Sequence, residues 1–127
     1  MLSKSDLSKH RQHIGHLLKT IADLSFDCVR AEPLVHGTPG EVYRSCGQKN
    51  CKCALGPEHR HGPYPVIQVH RDKRQRQMSI RKDQKEIWNK AQAYQKQSAA
   101  LQELKQTCAV LTDTVTKILN QRVEDWP

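Results

Sequence analysis

Residues 46–64 read CGQKNCKCALGPEHRHGPY, and this stretch decides how the chain folds. It holds three of the five cysteines within eight residues, and two histidines follow within the next eight. Three thiolates and one imidazole complete the four-coordinate tetrahedral shell that structural zinc prefers. We therefore predict a zinc site in this segment. Its ligands are Cys46, Cys51, Cys53 and His61.

Two histidines compete for the fourth position of this site. His61 is favoured because Gly62-Pro63, directly after it, makes a turn into the apolar run that follows, and His59 is the alternative. Gly47 and Gly56-Pro57 allow the chain to reverse, so that sulfur atoms close in sequence can point at one centre. The histidine and the lack of a fourth nearby cysteine favour zinc over iron.

Three other interpretations of the cysteines compete with a metal site. They are free reduced thiols, a redox-active Cys51/Cys53 pair and a disulfide in a secreted protein. The first six residues, MLSKSD, lack the apolar core of a signal peptide, which disfavours the disulfide. A redox pair usually has Cys-x-x-Cys spacing beside a βαβ pattern, whereas the spacing here is Cys-x4-Cys-x-Cys-x7-His.

The charge of the chain points to a polyanionic partner. Its 127 residues include 21 Lys and Arg against 13 Asp and Glu, a formal net charge of +8, and the pI is about 9.4. Nucleic acid is the commonest such partner, DNA more often than RNA in our interpretation, while the alternative is a basic surface that only keeps the protein in solution. No apolar run approaches the roughly 20 residues that span a bilayer, so we expect a soluble, cytoplasmic protein.

Helices are predicted on both sides of the cysteine segment. In the first, over about residues 5–26, apolar positions recur at alternating spacings of three and four. This seam consists of Leu7, His10, Ile14, Leu17, Ile21 and Leu24, and Leu18 widens it. From Asp83 to about residue 122 no Gly or Pro interrupts a sequence rich in Gln, Lys, Glu and Ala, which predicts a second, longer helical segment.

The longer segment carries a heptad seam from Leu101 onward. Its two series are Leu101, Cys108, Val115 and Leu104, Leu111, Ile118. Polar residues earlier in the segment weaken the pattern and place a candidate break near Gln97-Ser98. Residues 5–26 and 100–122 are expected to pair antiparallel within one chain. The alternative uses the same seams between chains and gives a homodimer, and both can hold in a four-helix bundle of two chains.

Between the helices the sequence predicts a small antiparallel sheet. Residues 31–40 contain two prolines and two glycines and are expected to be a connector. The strand candidates are residues 41–45, 64–70 and 75–80, with a polar turn at 71–74, and Pro65 is expected at a strand start or an edge. The predicted fold is therefore α+β in a single small domain, residues 1–127, with a helix at 5–26, a zinc-knuckle sheet at 37–80 and a helical segment at 83–122.

Positive charge concentrates on the second hairpin and on the cysteine segment. Alternation along the third strand projects Arg74 and Arg76 to one face and Gln75 and Gln77 to the other. Arginine offers a forked donor to phosphate oxygens, so this face is a candidate phosphate-binding surface, although charges on a hairpin also discourage edge pairing. The candidate nucleic-acid-binding residues are Lys49, Lys52, Arg60, Arg71, Lys73, Arg74, Arg76, Arg81 and Lys82.

The motifs resemble those of a family of small uncharacterised prokaryotic proteins. The likeness rests on Gly40-Glu41-Val42-Tyr43, on residues 46–54, CGQKNCKCA, and on His61-Gly62-Pro63-Tyr64, followed by a basic hairpin and a helical tail, over about residues 37–120. Genes of that family often lie near those of transposases and other mobile-element proteins. The resemblance implies a metal knuckle with Cys46, Cys51, Cys53 and His61 as the matching positions, and a mobile-DNA context.

Three function classes follow from these features. We expect first a non-enzymatic zinc-knuckle protein that binds nucleic acid, as an accessory factor of a mobile element or of a defence against one. The second class is a coiled-coil scaffold that dimerises or binds a protein partner. Catalysis is the weakest, because a catalytic zinc needs an open coordination position, and Glu58 is the one carboxylate within the knuckle.

Overall fold

The computed structural model describes residues 2–126. It confirms the predicted α+β fold, with a helix at each end and a three-stranded antiparallel sheet between them. The elements in chain order are α1 (Lys4–Cys28), β1 (Thr38–Arg44), β2 (His61–Arg71), β3 (Arg74–Ser79) and α2 (Lys85–Gln121), with short 3-10 turns at Lys52–Leu55, Pro57–His59 and Lys82–Gln84. The chain divides into a helical unit, up to Arg30 and from Gln97 onward, and a sheet unit, Ala31–Lys96.

Helix α1 begins with a capping box. The backbone N–H of Asp6 donates to Ser3 Oγ at 3.1 Å, and the backbone N–H of Ser3 donates to the Asp6 carboxylate at 3.3 Å. The Ser3 hydroxyl and N–H together hold the pKa of Asp6 below its usual value. The predicted seam of α1 is half-buried along its length and buried at Leu24. Leu18 does not widen it, because this side chain turns away from the seam and is 52% exposed.

Helix α2 runs unbroken through the predicted break near Gln97-Ser98. Within the helical unit its buried or half-buried positions are Gln97, Ser98, Ala100, Leu104, Thr107, Cys108, Leu111, Thr114 and Ile118. The predicted series of Leu104, Leu111 and Ile118 is therefore covered, but Leu101 and Val115 are 41% and 45% exposed. On one flank of this central series Ala100, Thr107 and Thr114 are all half-buried, whereas on the other flank only Cys108 is half-buried.

The two ends of the helical unit show the direction of pairing. Leu2, just before α1, lines one cavity with residues 121–124 at the end of α2. The beginning of α1 thus lies beside the end of α2, which is the arrangement expected of an antiparallel pair of residues 5–26 and 100–122. Over the described part of the chain, neither these nor any other helix is long and apolar enough to cross a membrane.

The sheet has the order β1-β2-β3, which places the proline-containing strand β2 in the centre. The expectation that Pro65 marks a strand start or an edge is therefore wrong. The carbonyl of Pro65 accepts the N–H of Ile80 at 3.0 Å. Because the N and O atoms of one residue point to the same side of an antiparallel strand, the missing N–H of Pro65 faces the end of β3, and no bond to β1 is lost.

Strand β1 begins earlier than the sequence predicts. Thr38, Pro39 and Gly40 pair with Gln68, Ile67 and Val66, although they belong to the segment expected to be a connector. Since β1 is an edge strand, Pro39 can occupy it without breaking a central ladder.

Asp72 and Lys73 form the two-residue turn from β2 to β3. Both have positive φ, which is the geometry of a tight hairpin.

The sheet unit has a small core around β2 and the start of α2. Val66, Ile67 and Ala91 are fully buried, and Val66 and Ile67 point to opposite faces of the sheet. Trp88 donates its indole N–H to the Gly40 carbonyl at 3.3 Å, which attaches the helix to β1. So few buried side chains leave the rest of this unit dependent on other interactions.

Two glycine substitutions should change stability in opposite directions. Gly62 has a φ of +143°, and an added Cβ would lie 2.8 Å from the Val42 carbonyl oxygen, so Gly62→Ala should lower the free energy of unfolding by at least about 2 kcal/mol. Gly15 lies within α1, and a Cβ added there would have nothing within 4 Å, so Gly15→Ala should raise the free energy of unfolding by about 0.5–1 kcal/mol. Urea titration followed by circular dichroism measures both, and equal effects would contradict this assignment of strain.

Candidate metal centre

The candidate ligands lie on the connection between β1 and β2. Cys46 follows the end of β1, where Gly47, with a φ of +79°, turns the chain. Cys51 immediately precedes a 3-10 turn that contains Cys53, and His61 is the first residue of β2. Because Arg44 pairs with His61 across the two strands, the sheet brings the two ends of this connection together.

The ligand atoms of Cys46, Cys51, Cys53 and His61 all lie within 4.8 Å of one another, close enough to hold one metal ion. The Sγ atoms of Cys46 and Cys53 are 3.3 Å apart, and Cys51 Sγ is 3.1 Å from His61 Nε2. Zn–S bonds of about 2.3 Å in a tetrahedron place sulfur atoms about 3.8 Å apart. The distances between the ligand atoms, from 3.1 to 4.8 Å, lie on both sides of that value, so small side-chain rotations suffice to form a tetrahedral shell.

Cys53 is prepared to be a thiolate. Its Sγ accepts the backbone N–H of Cys46 at 3.4 Å and lies 3.6 Å from the hydroxyl of Ser45. The Cys46 N–H, followed by the Ser45 hydroxyl, lowers the pKa of Cys53 to about 6, although the side chain is buried. Since the thiolate is the form that binds a metal, this sulfur is already the ligand species at neutral pH.

Cys46 has the opposite tendency. The backbone of Gln48 favours its thiolate, but Cys53, burial and Cys51 outweigh this effect, and the pKa of Cys46 is raised. Two sulfur atoms 3.3 Å apart cannot both carry negative charge cheaply without a cation between them. Metal binding must therefore release a proton from this cluster.

The structure distinguishes the two histidines that compete for the fourth position. His61 lies in the cluster, whereas His59 Nε2 lies 3.5 Å from the carboxylate of Glu58 and is not part of it. The 3-10 turn Pro57–His59 directs His59 to its own neighbour. The other two cysteines, Cys28 and Cys108, are half-buried on helices outside the cluster.

The nine candidate nucleic-acid-binding residues are all exposed. The structure separates them into two groups instead of collecting them on one surface. Lys49, Lys52 and Arg60 lie on the connection that carries the cysteines, and the other six lie on or just after the β2–β3 hairpin. The first group and four of the other six, Arg71, Lys73, Arg74 and Arg76, lie near opposite ends of β2, whose eleven residues span roughly 30 Å. Arg81 and Lys82 follow the end of β3, where Ser79 pairs with Val66 in the middle of β2.

Three guanidinium groups converge at the hairpin end of the sheet. Arg71, Arg74 and Arg76 line one cavity of about 420 Å³, together with the carboxylate of Asp72. Arg71 and Arg74 are direct cross-strand partners, and Val69 pairs with Arg76, so their side chains share one face. Like charges placed directly opposite each other destabilise a sheet, so the fold keeps this cluster at a cost.

Sequence reasoning missed two contributors to the metal centre. They are the hydroxyl of Ser45 and the backbone N–H of Cys46, which both point at Cys53 Sγ. Sequence reasoning also missed a cavity of about 250 Å³ that lies beside the candidate ligands. Arg44 and Tyr64 contribute to its lining. A serine directly before the first cysteine is a usable signal for the hydroxyl, but the cavity depends on strand register, which the sequence does not show.

A family profile described as a domain of unknown function, DUF6788, matches residues 6–87 of this chain. The chain belongs to this family. The match begins in α1, includes the whole sheet and all four candidate ligands, and ends at the start of α2, whereas the resemblance suggested by the motifs ran from about residue 37 to 120. Neither a curated protein nor a solved structure matches the chain.

Proposed function

We propose that this DUF6788 protein is a non-enzymatic nucleic-acid-binding module whose basic sheet is ordered by a bound zinc ion. The distribution of charge is the observation that carries the proposal. The sheet unit, residues 31–96, contains 13 of the 21 Lys and Arg and 6 of the 13 Asp and Glu, a net charge of +7. The helical unit contains 8 Lys and Arg and 7 Asp and Glu, a net charge of +1. Positive charge that only keeps a protein in solution can be spread over its whole surface, so its concentration in the sheet unit favours a binding role.

The arginine cluster at the hairpin supports an anionic ligand. Arg71, Arg74 and Arg76 are exposed, share one face and line one cavity, so their forked donors can approach the same phosphate group. A phosphate between them would remove the repulsion across the Arg71–Arg74 pair. With a second group of cations roughly 30 Å away, a ligand that contacts both would extend over about nine base pairs at 3.4 Å each.

The metal has a structural role in this proposal. Within residues 45–60 Cys53 is the one buried side chain, so apolar packing cannot hold this connection in shape. Three thiolates and one imidazole suit zinc, and four protein ligands leave no coordination position for a substrate or a water molecule. The chemistry of the site therefore supports an ordering role over a catalytic one.

The cellular setting proposed here rests on the motif resemblance alone. It associates the protein with mobile DNA, as an accessory factor of a mobile element or of a defence against one. DNA is accordingly the first ligand to test, and RNA the second.

A titration of the metal-loaded protein against a labelled 20-nucleotide DNA duplex, the matching single strand and the corresponding RNA tests the proposal. Fluorescence anisotropy reports the binding. With four phosphate contacts, affinity for the duplex should fall about 100-fold between roughly 50 and 200 mM salt. Affinity that does not depend on salt, or no binding to any of the three ligands, would refute nucleic-acid binding as the function.

A second candidate function is that of a scaffold that dimerises through α2. Leu101, Val115 and Leu119 are 41%, 45% and 58% exposed, and with the half-buried Cys108 they form an apolar stripe along one flank of α2. Such a stripe fits the two-chain bundle that the heptad pattern also allows.

Light scattering tests the scaffold. A dimer would have twice the 14.6 kDa mass of one chain. We expect Leu101→Lys with Val115→Lys to return it to a monomer, because the two added charges would be desolvated in the interface. Val110 is 47% exposed on the opposite side of the helix, so Val110→Lys is the matched control. A wild-type monomer at all concentrations removes this candidate.

A further inference from the structure

A second cavity lies directly beside the candidate metal ligands. Its volume is about 250 Å³, and it opens to the surface. The residues that line it are Arg44, Ser45, Cys46, His61 and Tyr64. Cys46 and His61 are candidate metal ligands, so the metal centre forms one wall, while Arg44 and Tyr64 have no part in holding the ion.

An irregularity in strand register brings these side chains together. Val42 pairs with Tyr64, but Arg44, two residues further along β1, pairs with His61, three residues back along β2. The extra residue in β2 falls at Gly62-Pro63, where an added Cβ on Gly62 would meet the Val42 carbonyl oxygen at 2.8 Å. As a result His61 and Tyr64 share a face with Arg44, which an ordinary spacing of three would prevent.

The chemistry of the cavity selects its ligand. Tyr64 is 44% exposed, so an aromatic ring is available at the surface beside the guanidinium-bearing Arg44. Among the described residues no carboxylate lines the cavity, which favours an anion or a neutral aromatic group. Its volume is below the roughly 300–1,000 Å³ of pockets that enclose a whole drug-sized molecule, so it suits one flat ring of a longer ligand.

We propose that this cavity takes one unpaired base of a single-stranded nucleic acid, stacked on Tyr64, with the adjacent phosphate paired to Arg44. Aromatic side chains and positive charge in combination are the general means of holding single strands. A base in a duplex is stacked between its neighbours and cannot enter such a cavity without leaving the helix. This inference rests on the proposed function and adds to it a preference for single strands.

A metal ion in the candidate site would affect the cavity as well as the connection between β1 and β2. Because Cys46 and His61 are candidate ligands and also line the cavity, a bound ion would hold two of the residues that form its wall. The arginine cluster at the other end of β2 carries no aromatic residue in its cavity and binds backbone phosphate alone. The two ends of the sheet thus differ in what they recognise.

The test compares a labelled single-stranded 12-nucleotide DNA with its duplex, and repeats the comparison with RNA, on metal-loaded protein. We expect tighter binding of the single strand. Tyr64→Ala should weaken single-strand binding about tenfold or more and change duplex binding less than about twofold, and Tyr64→Phe, which keeps the ring, should bind as wild type does. Tyr43 is 56% exposed and alternates to the other face of β1, so Tyr43→Ala is the matched control.

A measurement on the wild-type protein covers the case in which Tyr64→Ala loses metal or fails to fold. A single-stranded oligonucleotide containing 2-aminopurine should lose fluorescence on binding, because stacking on an aromatic ring quenches this base. Unchanged fluorescence on saturation would overturn the inference. So would equal losses of single-strand and duplex affinity in folded, metal-loaded Tyr64→Ala, or equal binding of both ligands by the wild type. Salt-dependent binding that is insensitive to Tyr64 leaves the proposed function standing, whereas no binding of any strand removes both.

Discussion

Cys53→Ser should reduce metal affinity by more than about 100-fold and abolish stoichiometric metal in the purified protein. Changes outside the ligand shell already cost 10- to 100-fold, and this change removes one of four ligands. Cys53 is also the ligand with the most support, since the Cys46 N–H and the Ser45 hydroxyl both favour its thiolate. Elemental analysis of the purified protein and a titration with Co²⁺, followed by its thiolate absorbance, measure the loss.

Matched controls exist for both ligand types. Cys108 is half-buried on α2 and outside the cluster, so Cys108→Ser should keep one metal ion per chain. His61→Ala should lose the metal, whereas His59→Ala should retain it, because His59 faces Glu58 instead of the cluster. Loss of metal in the two control variants to the same degree as in the ligand variants would contradict the assignment of the site.

Loss of the metal should also disorder the connection between β1 and β2. Residues 45–60 bury little besides Cys53, so the free energy of metal binding is the main term that can offset the conformational entropy of this segment. Hydrogen exchange in the apo protein should therefore increase at residues 45–60 and remain slow in the helical unit. Protection of 45–60 that is equal with and without metal would show that the ion does not order this segment.

The double substitution Arg74→Gln with Arg76→Gln should weaken duplex DNA binding about tenfold or more at roughly 100 mM salt. Each cation removed from a phosphate should reduce the slope of log affinity against log salt by about 0.9, so the slope should fall by about 1.8. Both side chains are exposed and line the same cavity with Arg71, and glutamine keeps their polarity while removing the charge. Anisotropy titrations at four salt concentrations give the slope.

A second measurement separates function from folding in this variant. Because Arg71 and Arg74 are direct cross-strand partners, removing one charge should raise the free energy of unfolding by about 0.2–1 kcal/mol. The control is Lys9→Gln with Lys105→Gln, two exposed cations on α1 and on the part of α2 in the helical unit. An equal loss of affinity in this control would mean that the overall charge binds the nucleic acid, without a defined surface.

The local features of this protein were predictable because short-range spacing determines them. Three cysteines and two histidines within sixteen residues must lie near one another once the glycine-containing turns reverse the chain, so the cysteine ligands and a nearby histidine follow from the sequence. The helices follow from their periodicity, and the hairpin follows from polar turn residues between two apolar-alternating runs. Such features need no knowledge of distant contacts.

Features that depend on distant contacts were predicted incompletely or wrongly. Leu101 and Val115 match a heptad as well as Leu104 does, yet both are exposed while Leu104 is half-buried. Pro65 argues against a central strand in any sequence, and only the early end of β3 makes its missing N–H harmless. Neither fact is encoded in the few residues around the position concerned.

The sequence by itself determined the three candidate cysteine ligands, the two helices, the hairpin and the excess of positive charge, since each depends on residue types and on spacings of a few positions. The tertiary structure decided that the hairpin arginines and the cations of the cysteine segment lie at opposite ends of β2, that His61 and not His59 joins the sulfur atoms, and that Arg44 meets Tyr64 beside them. The reason is physical: strand register and helix pairing bring together residues far apart in the chain, and they depend on which surfaces bury each other.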